Sequence, residues 1–278
     1  RAAATICTIT VPLDEASRYG IVDVNDDYSV RSFIEKPVNP PGNLANMGVY
    51  VFSYPMLERM LKEDHEVANS NHDFGKDILP RMVAEGMGVY AYPYGGYWID
   101  VGTVEAYWEA HMDLLASPPS INLNDRTWII HTKSEERPPV MIHEGASVND
   151  SLLTDGTVVS DGARVERSVL SPGVFVGPNA VVRESVILTD TYIEAGAVVE
   201  RCIIDKIAVI GHNAHVGSIP QMGELGITCI GKNAHIPAGY TVGHSSVLGT
   251  DLRMEDFQQY ADKIVPSGTK LGYTSKRR

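Results

Sequence analysis

The sequence predicts an α/β domain followed by a parallel β-helix, and three observations support this prediction. Before residue 118, short β-branched segments alternate with amphipathic helical patterns. After residue 140, small and aliphatic residues recur with a period of 17 residues. Between these two regions, residues 118–139 are polar and contain several prolines, a composition that is typical of a linker.

The composition limits the classes of protein that this chain can represent. Its 278 residues are 44% hydrophobic and 21% charged, which is enough for two domains with separate cores. No apolar run approaches bilayer length, and a net charge of -12 argues against nucleic acid or an anionic membrane as the main partner. Three cysteines without a C-x-x-C pair predict neither a disulfide framework nor a zinc site, so we expect a reducing cytoplasm.

The first domain begins with predicted β-strands. β-Branched residues dominate the segment after Arg1, and a chain that opens inside a core strand is expected to have a longer natural beginning. Pro55 opens a predicted amphipathic helix. The predicted strands are residues 5–11, 21–24, 30–35 and 46–53.

The third predicted strand ends in an acidic and a basic residue before a proline. Because Pro37 restricts the residue before it, we expect Lys36 to be extended, so that the charges of Glu35 and Lys36 can converge on one polar ligand. On spacing alone, an exposed ion pair is at least an equally good interpretation of Glu35 and Lys36.

Two further segments carry candidate site residues. The segment DFGKD at residues 73–77 precedes a predicted helix, and Asp73 suits either a helix cap or a ligand contact. The segment YWIDVG places Asp100 between Trp98 and a glycine, where an extended segment gives way to a helix. Such junctions are where α/β folds tend to place ligands. Thr103 is expected to cap that helix.

The 17-residue repeat predicts a β-helix of about six coils over residues 140–250, with aliphatic ladders inside and steps of six, five and six residues around each coil. Residues 251–278 are expected to form a cap and tail, with a helix over 254–264 and a solvated basic end. The predicted corner residues with positive φ are Gly145, Gly162, Asn179, Gly196, Asn213 and Asn233. The predicted ladders are Ile142, Val159, Val176, Ile193, Ile210 and Ile230; Val148, Val165, Val182, Val199, Val216 and Ile236; and Leu153, Leu170, Ile187 and Ile204.

The motifs FIEKP, NMGVYVF, DFGKDILP and YWIDVGTVEAYWEAHMDLL, followed by such a β-helix, resemble the sugar-1-phosphate nucleotidylyltransferases. Among these, the resemblance is greatest to the members that transfer an adenylyl group to glucose 1-phosphate. It implies that residues 1–117 are the C-terminal half of a Rossmann-like nucleotidyltransferase domain and that the hexapeptide-repeat β-helix is left-handed. It also implies a homotetramer that is regulated by sugar-phosphate effectors.

The resemblance implies a role for each matching residue. Glu35 would accept hydrogen bonds from sugar hydroxyls, and Lys36 would lie beside the sugar phosphate. Asp100 would be one of two aspartates that hold the catalytic Mg²⁺, and Lys36 and Asp100 would be the catalytic residues. Asn46 stands where the family often has serine. The remaining residues implied in the glucose pocket are Asp73, Phe74 and Trp98.

The reaction implied is attack by an oxygen of glucose 1-phosphate on the α-phosphorus of ATP, with release of pyrophosphate. This chemistry needs positioned phosphates and a cation rather than a protein nucleophile. The family's glycine-rich phosphate loop, its base contacts and its second metal-binding aspartate would precede Arg1. We therefore expect the 278-residue chain to be inactive alone.

Three alternatives remain open on the sequence. The first is a sugar-1-phosphate nucleotidylyltransferase that uses another nucleotide, and the second is a non-catalytic regulatory subunit of the same family. The third is a hexapeptide acyltransferase with a histidine as general base. We expect the β-helix histidines to lie on solvated faces, because none has an acidic partner at an obvious spacing. They are His143, His212, His215, His235 and His244.

Overall fold

The computed structural model describes residues 2–132, 135–218 and 226–272. The chain divides into two compact units, Arg1–Trp98 and Ile99–Arg278. Within the described ranges, no helix combines the length and the apolar character that crossing a membrane would require. The predicted basic tail at residues 276–278 lies outside the described residues.

The first unit contains a mixed sheet that has five strands among the described residues, in the order β3-β2-β4-β1-β5. The central strand β1 runs antiparallel to β4 and parallel to β5. The four strands predicted from the sequence are confirmed to within two residues, whereas β5 was not predicted. The strands are β1 Ala4–Thr10, β2 Ile21–Val24, β3 Val30–Ile34, β4 Leu44–Phe52 and β5 Val89–Pro93.

Two α-helices pack against this sheet. Helix α1, Tyr54–His65, begins with a proline in its first turn, as the sequence predicts. Helix α2, Leu79–Ala84, follows a one-turn π-helix, Phe74–Ile78, and a short 3₁₀-helix, Ala16–Arg18, precedes β2. Apolar side chains of the helices and the sheet form one buried core, which includes Ile6, Phe33, Met60, Leu79 and Met82.

The second unit is a parallel β-helix, and this part of the prediction is confirmed. Three parallel sheets have seven, seven and six strands among the described residues. Val165 pairs with Val148 on one side and with Val182 on the other, which confirms the 17-residue step. Ladder residues such as Val182 and Ile187 are fully buried, whereas Ile142 in the first coil is 53% exposed. The hand of the coil stays a prediction.

The strands of the β-helix are short and repeat around three faces. The first face contains Ser147–Asn149, Arg164–Glu166, Val181–Arg183, Val198–Glu200, His215–Gly217, Thr241–Val242 and Ile264–Val265. The second contains Leu152–Leu153, Val169–Leu170, Val186–Ile187, Cys202–Ile204, Thr228–Ile230, Val247–Leu248 and Lys270–Leu271. The third contains Met141–Ile142, Val158–Val159, Phe175–Val176, Tyr192–Ile193, Val209–Ile210 and His235–Ile236.

The register predicted after residue 210 is wrong. Ile230 was predicted to follow Ile210 and Ile236 to follow Val216, but Ile230 pairs with Ile204 and Ile236 pairs with Ile210. The insertion between these coils is therefore nine residues rather than three. Because aliphatic ladder positions recur every five or six residues, a slip by one face leaves the apolar pattern almost unchanged.

The β-helix also extends beyond the predicted end at residue 250. Ile264–Val265 and Lys270–Leu271 continue two of its sheets. The predicted helix over residues 254–264 is only a 3₁₀-helix, Met254–Phe257. The segment that contains this 3₁₀-helix lengthens the coil, so that Ile264 follows its partner Thr241 by 23 residues. The repeat is therefore no longer visible at the period of 17.

Helix α3, Val104–Asp113, is grouped with the β-helix rather than with the sheet. The side chain of Thr103 accepts a hydrogen bond from Ala106 N at 3.1 Å, so the predicted cap is confirmed. Trp108 and Met112 are buried against Val186 and Ile227 of the β-helix unit. The domain boundary predicted at residue 117 lies after α3, whereas the two compact units divide after Trp98.

Candidate active site

Glu35 lies directly after β3, and its side chain is 25% exposed. A Cβ atom added at Gly20 or at Gly75 would lie only 2.7 Å or 2.8 Å from Glu35 Oε2. A side chain at either position would therefore displace the carboxylate, and the two glycines let their backbone segments approach it closely. Gly75 belongs to the DFGKD segment, whose last four residues lie in the π-helix Phe74–Ile78.

Lys36 does not have the extended backbone predicted from the following proline. Its φ is +47°, in the left-handed region that residues other than glycine rarely adopt. Its N–H donates to Tyr19 O at 3.2 Å, and Pro37 is buried, so tertiary contacts override the local preference. Lys36 Nζ lies 4.0 Å from Glu35 Oε1 and its side chain is 67% exposed, which leaves the ammonium group accessible to an anion.

Asp73 is the N-cap of the π-helix Phe74–Ile78, so the capping interpretation is confirmed. Its Oδ1 accepts hydrogen bonds from Gly75 N at 2.8 Å and Lys76 N at 2.9 Å. Oδ1 also lies 3.4 Å from where a Cβ of Gly75 would be, next to the carboxylate of Glu35. Because both hydrogen bonds use Oδ1, capping is compatible with ligand binding through Oδ2.

A β-bulge in β4 brings Asn46 and Tyr50 together. Ile6 pairs with Tyr50 and Thr8 pairs with Asn46, so the register shifts between these two pairs. Gly48 in the bulge has φ +73°, and its N–H donates to Asn46 Oδ1 at 2.9 Å. Asn46 Nδ2 then donates to the Tyr50 hydroxyl at 2.8 Å. Bulges of this kind redirect side chains next to functional sites.

Tyr50 was not identified from the sequence. Its ring centroid lies 5.7 Å from that of Phe74. Burial raises the pKa of Tyr50, and the negative charges of Glu35 and Asp73 raise it further, so the hydroxyl is neutral near pH 7. Tyr50 therefore joins the predicted residues in one cluster. The signal that could have revealed it is the alternation of an asparagine, a glycine and a tyrosine along one strand.

Trp98 lies at the end of the first unit and contacts the same region. Its ring packs edge-on against Tyr19, with the ring centroids 5.9 Å apart. Tyr19 in turn accepts the hydrogen bond from the backbone of Lys36. The structure thus brings six of the seven predicted site residues into one part of the first unit. They are Glu35, Lys36, Asn46, Asp73, Phe74 and Trp98.

Asp100, the seventh predicted residue, belongs to the second unit, where it is exposed just before the cap of α3. A Cβ at Gly102 would lie 3.1 Å from Asp100 Oδ2, so glycine leaves this carboxylate open. Across the described ranges, no cluster of three or more His, Cys, Asp and Glu residues could hold a metal ion. A single open carboxylate still fits Mg²⁺, which commonly binds one or two carboxylates together with substrate phosphates.

The β-helix histidines differ from the prediction in one respect. His215 Nε2 lies 3.2 Å from Glu200 Oε2 and His143 Nδ1 lies 3.7 Å from Asp161 Oδ1, so two of them do have acidic neighbours. Glu200 also pairs with Arg183 at 3.1 Å, which makes it part of a charge ladder along one face. Both histidines are more than two-fifths exposed, as expected for solvated positions.

Two protein-family models match the chain in the order of its two regions. A nucleotidyl transferase model matches residues 1–117, and a GlmU-like C-terminal hexapeptide model matches residues 140–224. Both regions of the predicted fold class therefore have a counterpart among known families.

Three similar curated proteins carry the same name, glucose-1-phosphate adenylyltransferase. The one from Thermomicrobium roseum is 46% identical over 276 residues, which cover 96% of this chain and 63% of the relative. The one from Acetivibrio thermocellus is 37% identical over 98% of this chain and 66% of the relative. The one from Halalkalibacterium halodurans is 48% identical over 57% of this chain and 41% of the relative. The chain thus spans a little under two thirds of the first two.

Proposed function

We propose that this chain is the sugar-phosphate-binding part of an enzyme that makes ADP-glucose, because it belongs to the glucose-1-phosphate adenylyltransferase family of nucleotidyltransferases. The reaction is the transfer of the adenylyl group of ATP to glucose 1-phosphate, with release of pyrophosphate. The observation that carries this proposal is the convergence of Glu35, Asp73, Asn46 and Tyr50 next to the exposed ammonium group of Lys36.

The polar cluster has the chemistry to bind a sugar. Glu35 and Asp73 present carboxylate oxygens, which accept hydrogen bonds from sugar hydroxyls. The hydroxyl of Tyr50 is neutral near pH 7, as an ordinary tyrosine is, and burial raises its pKa further, so it can both donate and accept. The rings of Phe74 and Trp98 supply the apolar surface against which a sugar ring packs.

Lys36 would hold the phosphate of the sugar phosphate. Its ammonium group is exposed and lies 4.0 Å from Glu35 Oε1, so one ligand can contact the acceptor and the cation together. The left-handed backbone at Lys36, fixed by its hydrogen bond to Tyr19, would set the direction of this side chain. Such pre-positioning is the protein's main contribution to a phosphoryl-type transfer.

Asp100 would bind the divalent cation of the reaction, which we assign as Mg²⁺. When bound, the cation offsets the charge that develops on the phosphate oxygens. The exposed carboxylate of Asp100 next to Gly102 supports this role, as does the match of its segment to the family motif. In this assignment, Lys36 and Asp100 are the catalytic residues.

The rest of the molecule would serve assembly and control. We propose a cytoplasmic homotetramer that responds to sugar-phosphate effectors and whose β-helix faces contact partner subunits. The domain assignment that accompanies this proposal is residues 1–117 for catalysis, 118–139 for the linker, 140–250 for assembly and 251–278 for the C-terminal end.

The proposal is tested by measuring pyrophosphate release in the whole protein with ATP and glucose 1-phosphate. Parallel reactions replace ATP by UTP, dTTP or GTP, replace glucose 1-phosphate by other sugar 1-phosphates, or supply acetyl-CoA with an amino sugar. We expect activity with ATP and glucose 1-phosphate to exceed every other combination. Turnover only with another nucleotide, only with acetyl-CoA, or none at all would reject the proposal in favour of the corresponding alternative.

A further inference from the structure

Asp64, near the end of α1, is a buried carboxylate outside the cluster described above. It is 8% exposed, and it lies on the last turns of the helix, beside the loop of residues 66–73 that leads to the π-helix. Its Oδ1 accepts a hydrogen bond from Ser70 Oγ at 2.7 Å, and its Oδ2 lies 2.8 Å from His72 Nδ1. One carboxylate therefore holds two points of this loop.

The hydrogen bonds around Asp64 form a closed network. Ser70 Oγ, while donating to Asp64, also accepts from His72 N at 3.0 Å. The backbone of the loop is fixed as well, because Val67 N donates to Asp64 O at 3.0 Å and Ser70 N donates to Val67 O at 3.1 Å. The hydrogen bonds from Ser70 and then His72 hold the pKa of Asp64 below its ordinary value. A satisfied network of this kind rigidifies the segment that it joins.

The network ends at the residue next to Asp73. His72 has φ +54°, a left-handed backbone that is uncommon for residues other than glycine and that histidine adopts more readily than most. The chain leaves His72 directly into Asp73, whose Oδ1 caps the π-helix and borders the carboxylate of Glu35. The direction of Asp73 therefore depends on the backbone of His72, and the network of Asp64 holds that backbone.

Ordinary loop anchoring does not require a buried charge. A carboxylate removed from water costs free energy that is recovered only if every partner is well placed, whereas an apolar residue would fill the same space without that cost. Buried groups of this kind can confer conformational specificity rather than stability. At Asp64 the specific conformation is that of the loop carrying Asp73.

We propose that Asp64 is a positioning residue for the sugar pocket, which acts through Ser70 and His72 to hold Asp73 in its binding orientation. This inference rests on the proposed function for its substrate, glucose 1-phosphate, but its structural part does not. Loss of the network would leave Asp73 misdirected, so it should weaken binding of the sugar while ATP binding is retained.

Three variants of the whole protein test the proposal. Asp64→Val removes both side-chain hydrogen bonds, whereas Asp64→Asn keeps an acceptor for Ser70 and can donate to His72 Nδ1 in its other tautomer. Glu63→Gln is the matched control, because it lies on the same helical turn and loses ion pairs to Arg59 and Arg81, neither of which belongs to the loop.

The first readout is steady-state kinetics. We expect Asp64→Val to raise KM for glucose 1-phosphate about tenfold, with KM for ATP and kcat within about twofold of wild type. Asp64→Asn should recover most of this loss, and Glu63→Gln should show none. Equal effects on both substrates, or the same loss in Glu63→Gln, would overturn the proposal, since a merely structural role predicts either result.

The second readout needs no substrate. Hydrogen exchange of the Gly75 and Lys76 amides, which donate to Asp73, should accelerate about tenfold in Asp64→Val relative to Glu63→Gln. Unchanged exchange would overturn the positioning role whatever the kinetics. Accelerated exchange in a protein that does not use glucose 1-phosphate would uphold the positioning role and reject only the proposed substrate.

Discussion

The guanidinium carbon of Arg201 lies 4.2 Å from the centroid of the Trp108 ring, which joins helix α3 to a corner of the β-helix. Trp108 Nε1 donates to Glu184 O at 2.7 Å, and Arg201 Nη1 donates to the carboxylate of Glu184 at 3.3 Å. Arg201 is 8% exposed, and its Nε has no hydrogen-bond partner within the described ranges. The stacking on Trp108 is therefore a main source of compensation for this buried charge.

A double-mutant cycle should measure that compensation. We expect Arg201→Met and Trp108→Leu to show a coupling energy of about 1–2 kcal/mol, as found for desolvated cation–π pairs. Chemical denaturation of the wild type, both single variants and the double variant gives the value. Arg167→Met with Trp108→Leu is the control cycle, because Arg167 lies 4.0 Å from Glu184 without stacking on the ring. Equal coupling in the two cycles would contradict the assignment.

The interior ladder of the β-helix should not tolerate a charge. Val182 is fully buried and pairs in register with Val165 and Val199, so Val182→Asp would bury an unpaired carboxylate. We expect a loss of about 3 kcal/mol or more in the free energy of unfolding. Val181→Asp, on the neighbouring partly buried position, should cost less, and thermal unfolding compares the two. Similar losses would mean that the inward face is assigned wrongly.

One corner of the β-helix holds a residue that is poorly suited to it. Ile207 has φ +61° and is 47% exposed, and the equivalent corners of earlier coils hold Gly156, Gly173 and Asp190. The left-handed backbone costs a β-branched residue about 1–2 kcal/mol. Ile207→Asn should therefore raise the free energy of unfolding by about 1 kcal/mol.

The control for this variant is another exposed isoleucine. Ile264 is 50% exposed and lies in a strand, so Ile264→Asn should be neutral or destabilising. Denaturant titrations of the two variants compare them under identical conditions. A loss of stability in Ile207→Asn as large as that in Ile264→Asn would show that apolar contacts outweigh backbone strain at this corner.

Asp100 is predicted to act on the reaction rather than on the fold. Asp100→Asn keeps the shape of the side chain and removes its charge, and the residue is exposed, so folding should be unaffected. In the whole protein we expect turnover to fall about a hundredfold, equivalent to about 3 kcal/mol of transition-state stabilisation, with a higher Mg²⁺ requirement. Kinetics across a magnesium titration measure both effects. Near-normal turnover at low magnesium would make Asp100 structural.

Lys36 is predicted to act mainly on substrate affinity. Lys36→Gln removes a contact that would be present both before and during the reaction, so KM for glucose 1-phosphate should rise about tenfold while kcat changes less. Lys62→Gln is the control, because Lys62 is an exposed lysine that pairs with Glu58 on α1. Kinetics with glucose 1-phosphate as the varied substrate decide the matter, and a loss confined to kcat would contradict the assignment.

The fold was more predictable than the backbone of the site. Strand β2 was predicted to the residue, since β-branched residues between turn signals specify a strand locally. Strand β5 was missed although Val89 and two tyrosines favour a strand, because Pro93 lies inside so short a segment and argues against one. The register after Ile210 was missed because any ladder residue fits any face.

The residues of the site were largely visible as motifs, but their arrangement was not. The left-handed backbone of Lys36 depends on its hydrogen bond to Tyr19, a residue 17 positions earlier that no local pattern connects to it. Tyr50 enters the cluster through a bulge whose register shift depends on the pairing of β1 and β4. Such features depend on contacts between distant segments, which spacing within a segment cannot reveal.

The grouping of α3 with the β-helix bears on how parts of related proteins can be exchanged. A chimera joined within residues 118–139 would bring a foreign β-helix against the original α3 and would separate Trp108 from Arg201 and Glu184. A chimera joined after Trp98 would transfer the helix together with the corner that it contacts. Hybrids joined at the second point should therefore express as soluble, cooperative proteins more often than hybrids joined in the linker.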